Sequence, residues 1–337
     1  MKVLIVNAFS EKRSTSVGGG HYRSMLQTAI SLSENNHKVT VLDIGDPLPL
    51  FFIDKIKFHN IEYIHCKVPF FTPWKIFGFM QSVDFYDYDC VSFFDFKPYS
   101  FLRLLVPRSR RSSPVWLLTR CGGKNPNNMY PDAPNIVCFS IENEAWFKNK
   151  KKNSNIYLMP NRVSRPDQEL GLVNSIKANF GINGKVLLRI CRIDGQYDWT
   201  VLQGAKLANK LKELHGDVTY LVIGRAISND HKKELQEKVS AIYKNTVLIT
   251  DDAYTSEAAK CIDVADYVIG TGRGFMEAIS LGKVSFSPNK TSELPLFVDK
   301  TSFESAFAFN FSGRSCCDDN YVDSSFKRFQ EIAQSEA

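Results

Sequence analysis

The sequence has no run of about 18 uncharged apolar residues, so no membrane-spanning helix is expected. It has no Cys-x-x-Cys pair. The eight cysteines, Cys66, Cys90, Cys121, Cys138, Cys191, Cys261, Cys316 and Cys317, are scattered. That excludes the usual zinc and redox spacings. Thiols inside apolar runs, such as Val137-Cys138-Phe139 and Ile190-Cys191, read as small hydrophobes, and the pattern fits a reducing cytoplasm. No repeat of fixed period occurs, and 19 glycines and 14 prolines are too few for collagen-like or low-complexity architecture. With 44% hydrophobic and 23% charged residues, intrinsic disorder is excluded as well. The apolar run that starts the chain ends at Asn7, too short for a signal peptide, and reads as a buried strand.

What is present is a chain of 337 residues, longer than the ~250–300 at which a single core stops growing, so two domains are expected. The net charge of +6 is unevenly spread. Residues 1–165 carry 22 Lys+Arg against 13 Asp+Glu, or +9; residues 166–337 carry 20 against 23, or −3. Two units with different partners would produce such a split. No nucleic-acid-binding motif accompanies the basic half, so nucleic acid is not an expected partner.

Val3-Leu4-Ile5-Val6 reads as a strand, followed by Gly18-Gly19-Gly20. Apolar residues at Tyr22, Met25, Leu26, Ala29 and Ile30 then follow helical spacing, and residues 37–42 read as the next strand. Strand, glycine turn, helix and strand within about 40 residues is a βαβ unit, which favours a parallel sheet. Further strands are predicted at 90–94, 115–119, 135–139 and 156–159. The second half alternates more cleanly. Strands at 186–191, 218–223, 247–250, 267–269 and 284–287 enclose helices at 199–214, 231–243, 256–262 and 274–281. The expectation is α/β throughout: two Rossmann-like, doubly wound parallel-sheet domains facing across a cleft. The first is residues 1–165 and the second 166–337, hinged near Asn161 to Pro166.

Candidate site residues cluster where loops follow strands. Gly19 and Gly20 open a helix and lack the G-x-G-x-x-G spacing of a dinucleotide fingerprint; His21 follows them. Arg192 follows a strand, as does Arg225 after Ile223-Gly224, and guanidinium groups there suit phosphate oxygens. Arg273-Gly274-Phe275-Met276-Glu277 leads from a buried strand into a helix. N–H groups at Gly274, Phe275 and Met276 would hold a diphosphate, and Glu277 would accept hydrogen bonds from sugar hydroxyls. Asp87-Tyr88-Asp89 has the literal spacing of a metal–nucleotide motif but precedes a strand instead of ending one, and is set aside. An aromatic run from Val68 to Met80, and an apolar-basic run holding Arg103, Arg108, Arg110 and Arg111, suit an anionic lipid surface.

Taken together, these stretches resemble the family-4 glycosyltransferases of GT-B fold, from residue 1 to about 290. The resemblance is carried by the glycine loop, Asn36-His37-Lys38-Val39-Thr40-Val41 and Pro160-Asn161-Arg162-Val163. In the second half Cys191-Arg192-Ile193-Asp194, Val222-Ile223-Gly224-Arg225 and Gly274-Phe275-Met276-Glu277-Ala278 carry it. It implies a retaining enzyme that needs no metal or cofactor and uses a nucleotide-sugar, UDP-sugar favoured, as substrate. The donor would sit mainly in the second domain, on Gly19, Gly20, Arg192, Tyr197, Gly224, Arg225 and the 273–277 segment, with Arg192 and Glu277 catalytic. The acceptor, a glycan or lipid-linked glycan of bacterial surface polysaccharide biosynthesis, would sit in the first, with His21, Arg103, Arg108, Arg110 and Arg111 on the acceptor and membrane side. Such an enzyme would be cytoplasmic, peripheral on the inner face of the membrane. The family's usual Lys falls on Tyr197 here and its first Glu on Ile269, while Thr119 to Gly123 holds no His. Those departures raise two alternatives: a catalytically silent GT-B module that binds nucleotide or sugar or partners an active subunit, and a nucleotide-sugar epimerase.

Overall fold

The computed structural model describes residues 1–8, 20–45, 47–67, 83–94, 96–105 and 114–335. Gly18, Gly19, Arg108, Arg110, Arg111 and the aromatic run at 68–80 lie outside the described residues. The chain divides into two compact units, Met1–Arg162 and Val163–Ala337, with the division at 162/163 where the sequence suggested 165/166.

Among the described residues, the first unit holds a seven-stranded parallel sheet, with β1 (Lys2–Ala8), β2 (Lys38–Ile44), β3 (Glu62–Cys66), β4 (Cys90–Phe94), β5 (Val115–Arg120), β6 (Asn135–Cys138) and β7 (Asn155–Leu158). Its order is β3-β2-β1-β4-β5-β6-β7, so the winding reverses between β1 and β4. Strands buried on both faces read as continuous apolar runs, and β1 shows why. Leu4 and Val6 enter one core with Phe93, Trp116 and Phe147, while Val3 and Ile5 enter the other with Met25, Ala29 and Phe52. Helix Gly20–Glu34 buries its Tyr22, Met25, Leu26, Ala29 and Ile30 stripe as the spacing predicts and ends at Asn36, in the left-handed region. At the carboxyl ends of β1 and β2, buried Asp43 accepts from Asn7 Nδ2 (2.7 Å), Leu48 N (2.9 Å) and Tyr63 Oη (3.0 Å).

The second unit contains β8 (Lys185–Ile190), β9 (Val218–Ile223), β10 (Thr246–Ile249), β11 (Tyr267–Ile269), β12 (Val284–Ser287) and β13 (Leu296–Phe297). Their order is β10-β9-β8-β11-β12-β13, parallel except for the last pair, with the reversal between β8 and β11. Helices Asp198–His215 and Asn229–Ile242 cover one face, and helix Arg273–Ser280 follows β11. Burial pushes the Cys138 thiol up to about 12 and those of Cys90 and Cys261 to about 11, as expected of inert core cysteines. Among the described residues, no helix is long and apolar enough to cross a membrane.

Helix Asp319–Ser335 packs Phe326 and Phe329 against the second sheet and is tied to it through Asp299. Arg328 Nε donates to that carboxylate (2.6 Å), as do the backbone N–H groups of Ser302 (2.9 Å) and Thr301 (3.0 Å). Burial works against the charged carboxyl, yet these bonds outweigh it and hold its pKa at about 2, below the usual 3.8. A depressed carboxyl pKa contributes stability that is complete above the unfolded value and is lost as pH falls through the folded one. Asp299→Asn is therefore expected to lose on the order of 2 kcal/mol at pH 7. In urea unfolding the gap to wild type should narrow to roughly half at pH 3. An equal gap at both pH values would show that the carboxylate charge is not what holds the helix.

Candidate functional site

The carboxyl-end rim of the second sheet collects the second-half residues singled out in the sequence. Beyond β8 and β9 the two chains keep pairing. Cys191 N donates to Ile223 O (3.1 Å), Ile193 N to Arg225 O (2.8 Å) and Ile227 N to Ile193 O (3.0 Å). This extension fixes where Arg192 and Arg225 leave the sheet. Arg192 is exposed, lies over the Tyr197 ring (5.3 Å to its centre) and faces Asp194 Oδ2 at 3.5 Å. Arg225 Nη2 donates to Asp252 Oδ1 (2.5 Å). Tyr197 precedes helix Asp198–His215, and its carbonyl accepts from Thr200 Oγ1 (2.6 Å).

The loop from β11 into helix Arg273–Ser280 is shaped by Gly272, whose φ of 51° favours glycine. Its N–H is held by Asn310 O (3.1 Å). Met276 N donates to Gly272 O (3.2 Å), so the Met276 N–H expected to meet a diphosphate belongs to the helix. The first-turn N–H groups that lack an intrahelical acceptor are those of Arg273, Gly274 and Phe275. The Phe275 side chain is fully buried and stacks on Phe311 (4.3 Å), and Met276 is buried beside it, so both belong to the core. A side chain at Gly274 would meet nothing within 4 Å. Arg273 Nε donates to Glu277 Oε1 (2.7 Å), and both side chains are largely buried, 14% and 10% exposed. Glu277 is thus half of an ion pair, with one oxygen held by Arg273.

Two features of this rim were not anticipated. His231 Nε2 lies 3.0 Å from Asp198 Oδ2, and Asp198 Oδ1 also accepts from Gly195 N (3.2 Å), which braces the 191–198 loop. Arg189, inside β8, is fully buried. Burial pushes the neighbouring Cys191 thiol up, with the Arg189 guanidinium pulling the other way. The first could be sought in the sequence only by pairing residues 33 positions apart; the second reads there as one polar residue in a strand.

In the first unit, Gly20 begins helix Gly20–Glu34 beyond the carboxyl end of β1, and His21 packs on Tyr22 (3.8 Å) in the same turn. Arg103 lies elsewhere. Helix Phe96–Leu105 returns toward the amino end of the sheet, where Arg103 Nη1 donates to Asp132 O (3.0 Å) ahead of β6. His21 and Arg103 therefore do not share one site. Leu102 in that helix is fully buried in the core, so this part of the apolar-basic run serves packing. Asp87 pairs with Lys2 (2.8 Å) and Asp89 accepts from Lys2 N (2.7 Å), a structural use of the D-x-D spacing.

No protein-family model matches the sequence. No curated protein matches it either. Solved structures do. Anabaena Alr3699/HepE, in complex with UDP and glucose, is similar at TM-score 0.63 and 14% identity, over 99% of this chain and 100% of that one. A glycosyltransferase from Rickettsia africae ESF-5 is similar at TM-score 0.64 and 16% identity, over 99% and 92%. The trehalose-6-phosphate synthase OtsA is similar at TM-score 0.58 and 12% identity, over 99% and 93%. The fold is GT-B. In this chain's version, Ile269 is a core residue and Tyr197 faces Arg192, at the two places where the family resemblance implies Glu and Lys.

Proposed function

We infer that this chain is a glycosyltransferase that takes its sugar from a nucleotide-sugar, UDP-sugar favoured, and passes it to a glycan or lipid-linked acceptor with retention of configuration. The observation that carries the reading is the GT-B fold, similar over the full length of a protein that binds UDP and glucose. The donor would lie at the carboxyl rim of the second unit. There the open backbone at Gly274 and the N-terminus of helix Arg273–Ser280 favour a diphosphate. Arg192, Arg225 and Arg273 would stabilise the departing diphosphate, and such preorganised donors are worth roughly 3–4 kcal/mol each. Glu277, oriented by Arg273, would accept a donor hydroxyl through its second oxygen. The leaving phosphate would take the acceptor's proton on the same face of the sugar.

The rival reading is a silent module that binds the nucleotide without turnover. It is favoured by Tyr197 and Ile269 at the two altered positions and by the carboxylate facing each of Arg192, Arg225 and Arg273. Thermal-shift and turnover assays with UDP-, GDP- and ADP-sugars separate the two. A ligand at 100 times its dissociation constant adds about 2.7 kcal/mol of stability. Turnover with a stability gain supports the transferase. A gain without turnover, in the presence of lipid-linked and free glycan acceptors, supports the module, and no gain with any donor removes both. The +9 charge of residues 1–165 supports placing the acceptor side against an anionic inner membrane face, in the service of surface polysaccharide assembly. Liposome sedimentation with and without anionic lipid reads that out. Equal, negligible binding to both would leave the basic residues as a solvated surface.

A further inference from the structure

Arg189 carries a charge that the second unit does not neutralise. It is 0% exposed. Its Nη1 donates to Ile269 O (3.1 Å), its Nη2 donates to Thr200 Oγ1 (3.1 Å), and its Nε is buried with no acceptor. Among the described residues no carboxylate pairs with it, whereas Arg192, Arg225 and Arg273 each face one. A guanidinium does not give up its proton in a protein, so burial cannot discharge it. A buried cation without an anion is expensive, and an apolar residue of similar volume would serve the core better. Retaining the charge points to an anion that arrives from outside.

The place says which anion. The strand order reverses between β8 and β11, and ligands of open α/β sheets bind just beyond such a reversal. Arg189 stands on β8 and bonds the last carbonyl of β11, directly ahead of the Gly270–Gly272 loop. Its other bond reaches Thr200 in the first turn of helix Asp198–His215. One guanidinium therefore holds the roots of both loops that frame the rim and puts a fixed positive charge beneath them.

We propose that Arg189 is a positioning residue for the donor's diphosphate, its buried charge being counterbalanced when the diphosphate binds at the Gly270–Gly274 loop. This rests on the nucleotide-sugar reading above. The test compares Arg189→Met with wild type, using UDP, inorganic pyrophosphate and uridine as probes. Without ligand, Arg189→Met should keep its fold, because the lost bonds to Ile269 O and Thr200 Oγ1 are offset by removal of an uncompensated buried charge. UDP and pyrophosphate should bind about tenfold more weakly or worse, and uridine, where its binding is measurable, unchanged. Arg189→Gln, which also loses the charge but keeps a donor for Ile269 O, should show the same loss of UDP affinity and carries the test should the Met chain not fold. UDP bound equally by wild type and variant overturns the proposal alone, as does equal weakening of UDP and uridine, which would mark Arg189 as a plain structural tie. A wild-type chain that binds neither UDP nor pyrophosphate overturns the nucleotide-sugar reading and this inference with it.

Discussion

Alanine at Gly224 is expected to destabilise the second unit by about 3 kcal/mol, lowering its melting temperature by roughly 6–12 °C. A Cβ placed there would lie 1.7 Å from the carbonyl oxygen of Cys191 and 2.9 Å from its carbon. Neither backbone has room to withdraw. Gly224 N is bonded to Ile249 O (3.0 Å) and Cys191 N to Ile223 O (3.1 Å), so separating them would open the β8–β9–β10 ladder at the rim. Gly274→Ala is the matched control. Nothing lies within 4 Å of that Cβ position, and in a helix alanine is favoured over glycine by about 0.5–1 kcal/mol. Stability should hold or rise slightly there, while binding of UDP-sugar should weaken if the backbone approaches the diphosphate there, as proposed. Differential scanning calorimetry checks both. A Gly224→Ala chain that melts like wild type would mean that the close approach of the two rim loops is not as described.

Removing the carboxylate of Glu277 should damage both stability and turnover. Glu277→Ala strips the carboxylate from Arg273, itself largely buried, and breaking such a pair from one side costs about 3 kcal/mol. It also removes the group argued to orient the donor, for which a loss of about 10²-fold in turnover is expected. Glu277→Gln separates the effects. The amide still accepts a hydrogen bond from Arg273 Nε, so most of the stability should remain, while turnover should fall at least about tenfold because the charged acceptor proposed for sugar hydroxyls is gone. Wild-type turnover in both variants would take Glu277 out of the site and leave it as half of a structural ion pair.

Strands buried on both faces were legible because such strands have almost no polar residues. Val3 to Val6, Val218 to Ile223 and Tyr267 to Ile269 announce themselves. β3 did not, since an edge strand written Glu62-Tyr63-Ile64-His65-Cys66 has neither a continuous run nor a clean alternation. Helix Ile141–Lys150 lacks a clear apolar stripe, although its end signals are present: Ser140 accepts from Asn143 N, with Glu142 and Glu144 in the first turn and Lys148 and Lys150 in the last. Leu102, beside Arg103 in the apolar-basic run, is buried in the core, and nothing local distinguishes a residue buried against a sheet from one buried in lipid. At the rim, the places of Arg192, Arg225 and Arg273 followed from strand ends. Arg225's pairing with Asp252 did not, because the partner stands 27 positions away and only the β9–β10 pairing brings it near. Arg189 is hidden in the sequence for the opposite reason. One arginine in an apolar run looks like a strand's solvent-facing position, and only the cover of helix Asp198–His215 makes it a buried charge.

The claim on which the rest depends is that a nucleotide diphosphate binds at the carboxyl rim of the second unit. Hydrogen exchange of the full chain with and without saturating UDP addresses it residue by residue. Slowed exchange at the amides of residues 191–198 and 270–276, accompanying the stability gain of the thermal-shift assay, is the predicted result. No protection at those two loops, or protection confined to residues 1–162, would contradict it.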